Sequence, residues 1–218
     1  MARKTRAPLN RERVLRAAVA LADEGGIQSL SMRRLGQNLG VEAMSLYSHV
    51  ANKDEILDGI VDLVAGEVES PPAGSEWKPA IRQLAVSLHD VFLRHRWACA
   101  IWMTRGEVGR ERMWWAETML RVLREGGFSE DLAYRAFHIL QSHVIGYTTY
   151  QLSFPYTRDE LAGMAESFLQ QFPREEFPYL TEHIHQHLAP RIVDESDYEF
   201  GLDLILDGLE RLQKASTR

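Results

Sequence analysis

The chain has 218 residues, of which 45% are hydrophobic and 26% charged, a composition that excludes fibrous and low-complexity classes and leaves room for a small domain beside a larger one. Its net charge of −6 excludes a protein that coats polyanions with its whole surface. The charge is uneven, however: residues 1–55 carry nine Lys/Arg against six Asp/Glu and the remainder sixteen against twenty-five, a basic head on an acidic body that suits a nucleic-acid reader with a separate partner or ligand domain.

Residues 1–8 read as a loose basic arm, with Arg3, Lys4 and Arg6 either available to a DNA backbone or minor groove or without a role. This start lacks the apolar core of a signal peptide, and no run approaches the ~20 apolar residues of a membrane span, so a cytoplasmic protein with no membrane partner is expected. Asn10 can cap a first helix, with Leu9 stapled onto Val14 across the cap and Val14, Leu15, Ala18, Val19 and Leu21 as its apolar face; Gly25-Gly26 stops it. Ser31 can cap the next helix, in which Met32, Leu35 and Leu39 fall at helical spacing and Gly40 supplies the stop. A second short helix from about Glu42 to Ser48 should turn Val41, Leu46 and Val50 inward.

Two short helices joined by a glycine-bearing turn predict a helix-turn-helix, whose second helix enters the DNA major groove; a helical hairpin in an ordinary core fits the apolar spacing as well. The outward residues of the second helix, Glu42, Ala43, Met44, Ser45, Tyr47, Ser48 and His49, contain only one charge. Small, apolar and hydroxylic side chains suit thymine methyls and base edges, while Tyr47, His49 and Lys53 carry donors for phosphate oxygens.

Asn52 can cap a fourth helix from Lys53 to about Val68, whose apolar residues Ile56, Leu57, Ile60, Val61, Leu63 and Val64 are too many for one stripe, so it should touch both head and body. Ser70-Pro71-Pro72-Ala73-Gly74-Ser75 then breaks the chain, although the domain division is placed earlier, at 1–52 and 53–218. Long helices follow: Trp77–Arg94, Glu111–Glu125, Glu130 to about Leu152, Arg158–Gln171 with a Thr157/Glu160 capping box, a short piece from Phe177 to His187, and Ser196 to Lys214. Residues 97–105 read as short and irregular. The one cysteine, Cys99, lies among apolar neighbours in RWACAIW, so a buried inert thiol is expected. No alternating strand pattern occurs, and the fold class is all-α, with an N-terminal three-helix helix-turn-helix domain and a larger helical domain.

No phosphate loop, nucleophile elbow or HExxH motif is present, and His138, Ser142 and His143 are neighbours along one helix without forming a triad, so no catalytic residue and no cofactor are expected. His183, His185 and His187 lack a carboxylate or cysteine at fixed spacing, so no metal site is assigned.

Leu39-Gly40-Val41-Glu42, Leu46-Tyr47, His49-Val50 and Asn52-Lys53 are the pieces by which residues 9–60 resemble the DNA-binding head of TetR-family repressors, in particular the tetracycline-repressor branch. The final stretch YEFGLDLILDGLERL also resembles that branch's last dimer helix. The resemblance implies a homodimer on a palindromic operator, with half-sites about 34 Å apart. It places base reading on Arg33, Ala43, Met44 and Ser45, and phosphate contacts on Tyr47, Ser48, His49 and Lys53. It implies a small-molecule effector that shifts the fourth helix and releases the DNA. Helix alignment places the effector pocket at Leu84, Leu88, Trp102, Trp115, Met119, Phe137 and Gln141, an aromatic, largely apolar set. Trp102 falls near the place of the branch's magnesium-binding histidine, and an indole cannot coordinate a cation, so metal-bound tetracycline is not the expected effector.

The stripe Leu202, Ile205, Leu206, Leu209 and Leu212, with Gly201 and Gly208 seven apart, is open to an own-core or a dimer reading. The dimer reading is preferred, with Leu140, Val144 and Tyr147 of the long helix as companions in a four-helix interface. The alternative to a ligand-responsive DNA-binding repressor is a helical enzyme or small-molecule carrier with a coincidental helix-turn-helix.

Overall fold

The computed structural model describes residues 8–106, 108–154, 156, 158–186, 188 and 196–216. Among them all regular structure is helical. The head comprises Arg11–Gly25 (α1), a 3-10 turn at Ile27–Ser29, Met32–Leu39 (α2) and Ala43–Leu46 (α3). Lys53–Ala65 (α4) connects it to the body. The body comprises Trp77–Arg94 (α5), Arg96–Trp102 (α6), Arg110–Glu125 (α7), Glu130–Ser153 (α8), Arg158–Gln171 (α9), Pro178–Gln186 (α10) and Asp197–Ser216 (α11).

The caps explain where the head helices begin. Asn10 accepts the Arg13 amide at 2.8 Å, Ser31 the Arg34 amide at 3.2 Å, and Asn52 the Glu55 amide at 2.8 Å. Glu55 returns the favour by accepting the Ala51 amide at 2.6 Å, a reciprocal cap that, with Arg11 at 3.1 Å, also holds the Glu55 carboxyl below its ordinary pKa. Gly40 ends α2 in the left-handed conformation at φ 65°, which a side chain would strain.

One continuous core unites head and body. α1 contributes Val14, Leu15, Ala18, Val19, Leu21 and Ala22, the expected face and one residue more. α4 packs on α1 at one side and on α7 at the other, as its broad apolar surface requires. α5, α7, α8 and α11 form the centre of the body, whereas α9 and α10 share a small cluster of their own around Ala165, Leu169 and Ile184.

Tyr198 pins α11 to its neighbours. Its ring stacks on His89 of α5 at 3.9 Å, its hydroxyl donates to the Ala85 carbonyl at 2.8 Å, and burial pushes its pKa far up. Lys78 and Arg82 of α5 add ion pairs to Asp207 and Asp203 at 2.6 and 2.9 Å.

Several expectations are corrected. Residues 97–105 are not irregular throughout: α6 reaches Trp102, because Trp97, Ala98, Cys99 and Trp102 share a buried face. α4 ends three residues early, at Ala65, with Glu67 and Val68 continuing only as turns. The dimer stripe needs the larger correction. Leu140, Val144, Leu202 and Leu206 are 0% exposed and Leu209 4% within a single chain, so they belong to the protomer's own core and have no surface for a partner. Gly201 likewise makes room for His143 of the same chain, whose Cε1 would lie 2.8 Å from an added Cβ, whereas Gly208 opens outward. Tyr147 and Ile205 are half-buried. The basic arm at 1–7, Thr157 and His187 lie outside the described residues.

Candidate functional site

The reading helix of the head, α3, is short, four residues, and the chain continues from it as turns through His49. Leu46 and Val50 are buried and fix it to the head core. Gly36 permits the close crossing beneath it: a Cβ there would meet the Val41 carbonyl oxygen at 2.9 Å and the Ala43 nitrogen at 3.2 Å. What this arrangement presents outward is unlike a normal solvated helix. Met44 is 77% exposed and Tyr47 46%, with Ser45 and Ser48 exposed and Ala43 and His49 half-buried beside them. Arg33 is exposed on α2 and Lys53 on the first turn of α4. The eight expected DNA-contacting residues are therefore all accessible on the head. One carries a prior commitment: the Ser48 hydroxyl donates to the Ser45 carbonyl at 2.8 Å.

The seven expected pocket residues gather in the body core. Trp102 is 2% exposed; Phe92 and Trp115 meet it edge-on at 5.2 and 6.0 Å, and Phe137 tilts on Trp115 at 5.9 Å. Leu84, Leu88 and Met119 are buried in the same core, with Gln141 half-buried one turn beyond Phe137 on α8. Of the seven, Leu84 and Trp115 line a cleft of about 170 Å³ between the end of α4 and α7.

Sequence reasoning missed how head and body are joined. Asp54, Asp58 and Asp62 lie four apart on one edge of α4. Arg105 donates to Asp58 at 2.6 Å and to Asp54 at 3.1 Å. Asp62 accepts the amides of Glu111 and Arg112 at 2.9 and 3.0 Å, capping α7 from another helix. A second joint surrounds His95, which is 9% exposed. Its ring nitrogens meet Asp23 of α1 at 2.8 Å and Glu67 beyond α4 at 3.1 Å, and Trp97 donates to Asp23 at 2.7 Å. The acidic spacing on α4 was readable, but its partners stand some forty to fifty residues away in sequence.

Partial burial pushes the Glu67 carboxyl up, yet the bonds from His95 and Arg94 outweigh it and leave its pKa below the ordinary glutamate value. A carboxylate depressed in the folded state stabilises above its unfolded pKa and loses that contribution as pH falls through the folded one. Glu67→Gln is therefore expected to be less stable than the parent at pH 7, with the gap closing as pH falls below about 4. Urea denaturation across that range measures it; a gap independent of pH would show that the joint is not electrostatic.

Among the described residues no group of three or more His, Cys, Asp or Glu is placed to hold a metal ion, and no helix is long and apolar enough to cross a membrane.

An accessible, weakly charged reading segment, braced from below and tied through one helix to an all-α body, defines the class of helix-turn-helix DNA-binding regulators. Residues 14–60 match the family model described as bacterial regulatory proteins, tetR family, and residues 70–213 that of the tetracyclin repressor-like C-terminal domain. The chain belongs to the TetR family of transcriptional regulators and is not an enzyme. It is 30% identical to the HTH-type transcriptional repressor DrrR1 of Streptomyces coeruleorubidus over 94% of this chain and 78% of that one. It is 39% identical to the class D tetracycline repressor of Escherichia coli, over 56% of this chain and 57% of that one. The crystal structure of the Streptomyces coelicolor TetR family protein ActR in complex with actinorhodin superposes with a TM-score of 0.78 at 34% identity, covering 95% of this chain and 99% of that one.

Proposed function

We propose that the protein is a homodimeric, cytoplasmic repressor that binds a two-fold symmetric operator through residues 1–52 and is released when a small aromatic or apolar effector enters the body formed by residues 53–218. The observation that carries this reading is the exposed Met44–Tyr47 surface on a rigidly seated helix, where an isolated protein gains nothing from displaying a methionine and a tyrosine. Arg33 suits the O6/N7 edge of guanine, Ala43 and Met44 suit thymine methyls, and Ser45 suits either kind of base edge. Tyr47, Ser48, His49 and Lys53 supply phosphate contacts, Ser48 after giving up its internal bond.

Dimerisation is supported by an outer surface on α11 that the protomer leaves uncovered. Phe200, Leu204 and Leu212 are 54–57% exposed, and Ile205 and the open Gly208 lie beside them. On α8 the exposed Ile139 and Tyr150 and the half-buried Tyr147 offer a companion surface. Aromatic and aliphatic enrichment is the composition of an interface core, and the exposed Arg211 beside Gly208 is of a type also enriched there. The ActR complex supports a ligand-binding body, and the aromatic core around Trp102 and Trp115 supports an aromatic effector.

Selection of bound sequences from random duplexes tests the reading, with a two-fold related consensus expected. Binding of the selected duplex should fall steeply with salt. Tyr47→Ala and Lys53→Ala should weaken binding to all duplexes, Lys53→Ala also reducing the salt slope by about one. Arg33→Ala should relax base preference at one position per half-site, at about 1–3 kcal/mol. Unchanged binding in all three variants would refute this DNA-reading surface.

A further inference from the structure

Trp115 is 4% exposed, and its indole Nε1 makes no hydrogen bond among the described residues. Buried donors are satisfied in the great majority of proteins, and an indole N–H can only donate, so what completes this group is an acceptor. Trp115 also lines the cleft of about 170 Å³ between the end of α4 and α7. Thr118, one helical turn further along α7, lines the same cleft and is buried, so a hydroxyl stands on the same wall as the indole. The exposed Trp114 and Gly66 line it as well.

Charge narrows the occupant further. None of the residues lining the cleft is Lys, Arg or His, and one of them, Glu111, is acidic. Glu111 reaches over Gly66: a Cβ on Gly66 would lie 3.3 Å from its Cγ and 3.6 Å from its Oε2. A carboxylate ligand would find no countercharge on these walls and would meet one charge of its own sign. An uncharged acceptor escapes that repulsion and still satisfies an indole N–H.

We infer that this cleft receives one ring of a neutral aromatic carbonyl compound, an aryl ketone or amide, whose oxygen accepts from Trp115 Nε1, with the Thr118 hydroxyl as a second donor. The inference rests on the proposed effector-binding body and names its ligand chemistry. A volume of about 170 Å³ fits a single ring, since an apolar cavity of about 150 Å³ takes benzene. Ala65 and Gly66 at the end of α4 form the wall opposite α7. Because Nε1 is buried, the ring has to part these two walls to bring its oxygen within reach.

Ligand-observed NMR titration of the full-length protein with acetophenone, ethylbenzene and benzoate tests the inference, because the three share a ring and differ in acceptor and charge. Acetophenone is expected to bind about three- to tenfold more tightly than ethylbenzene, as one hydrogen bond allows, and more tightly than benzoate. Trp115→Phe removes the donor and keeps an aromatic ring, so it should abolish the advantage of acetophenone while ethylbenzene still binds; retained ethylbenzene binding separates a lost donor from a lost fold. The near-isosteric Thr118→Val should reduce the same advantage, and it decides the matter if Trp115→Phe does not fold. Gly66→Val should weaken both neutral probes together by narrowing the cleft. Equal binding of acetophenone and ethylbenzene, binding of neither, tighter binding of benzoate, an advantage that survives the Trp115 or Thr118 substitution, or binding that ignores Gly66→Val would overturn the inference. In a parallel operator assay, release of DNA by some other compound that ignores all three substitutions would sink this chemistry while leaving the effector-controlled repressor intact.

Discussion

Leu204→Glu should leave the protomer folded, convert the dimer to monomers in sedimentation, and lower operator affinity by about 10²–10⁴-fold. Leu204 is 57% exposed in the protomer, so the carboxylate meets water there and costs little. In a dimer closed over this face the same carboxylate would be buried without a partner, which is strongly unfavourable. Two heads on one duplex bind as a chelate, and separating them forfeits the effective concentration that each lends the other. Unaltered helical content with an unaltered dimeric mass would show that this side of α11 is not the contact.

Leu206→Ala, two residues further, should do the opposite. Its side chain is 0% exposed among α5, α8 and α11, so its removal leaves a cavity and should destabilise by about 2–5 kcal/mol. Urea denaturation at fixed protein concentration measures this, since folding of a dimer depends on concentration. Association should survive under native conditions. A change below about 0.5 kcal/mol would mean that the residue is not core.

The contrast between these neighbours shows where sequence stopped being informative. Leu202, Leu206 and Leu209 announced an apolar stripe, and periodicity located it correctly. Periodicity says that a face is covered, not by which chain. A helix apolar on two sides offers both choices, and only the packing of α5 and α8 against Leu206 decides between them. The head was more legible because its signals are local: Asn10, Ser31 and Asn52 all cap as expected, and Gly40 takes the left-handed turn. α6 was missed because a seven-residue helix carries too little pattern to stand out, and its buried face of Trp97, Cys99 and Trp102 reads as a plain apolar run. The joints at His95 and Arg105 were missed for a different reason. Ion pairs between distant segments leave no periodic trace, even though Asp54, Asp58 and Asp62 mark one side of the Arg105 joint.

The reciprocal cap at Asn52 and Glu55 has a mechanical consequence. It welds the end of the reading segment to the first turn of α4, so the head follows that helix as a stiff arm. With 13 residues α4 is about 20 Å long, and a tilt of about 10° about its Ala65 end sweeps its tip by about 3 Å. Adjacent base pairs along a duplex are ~3.4 Å apart. On the proposed operator, a tilt of that size would shift the head by about one base step, enough to deny the second head of the proposed dimer its half-site while the first remains seated.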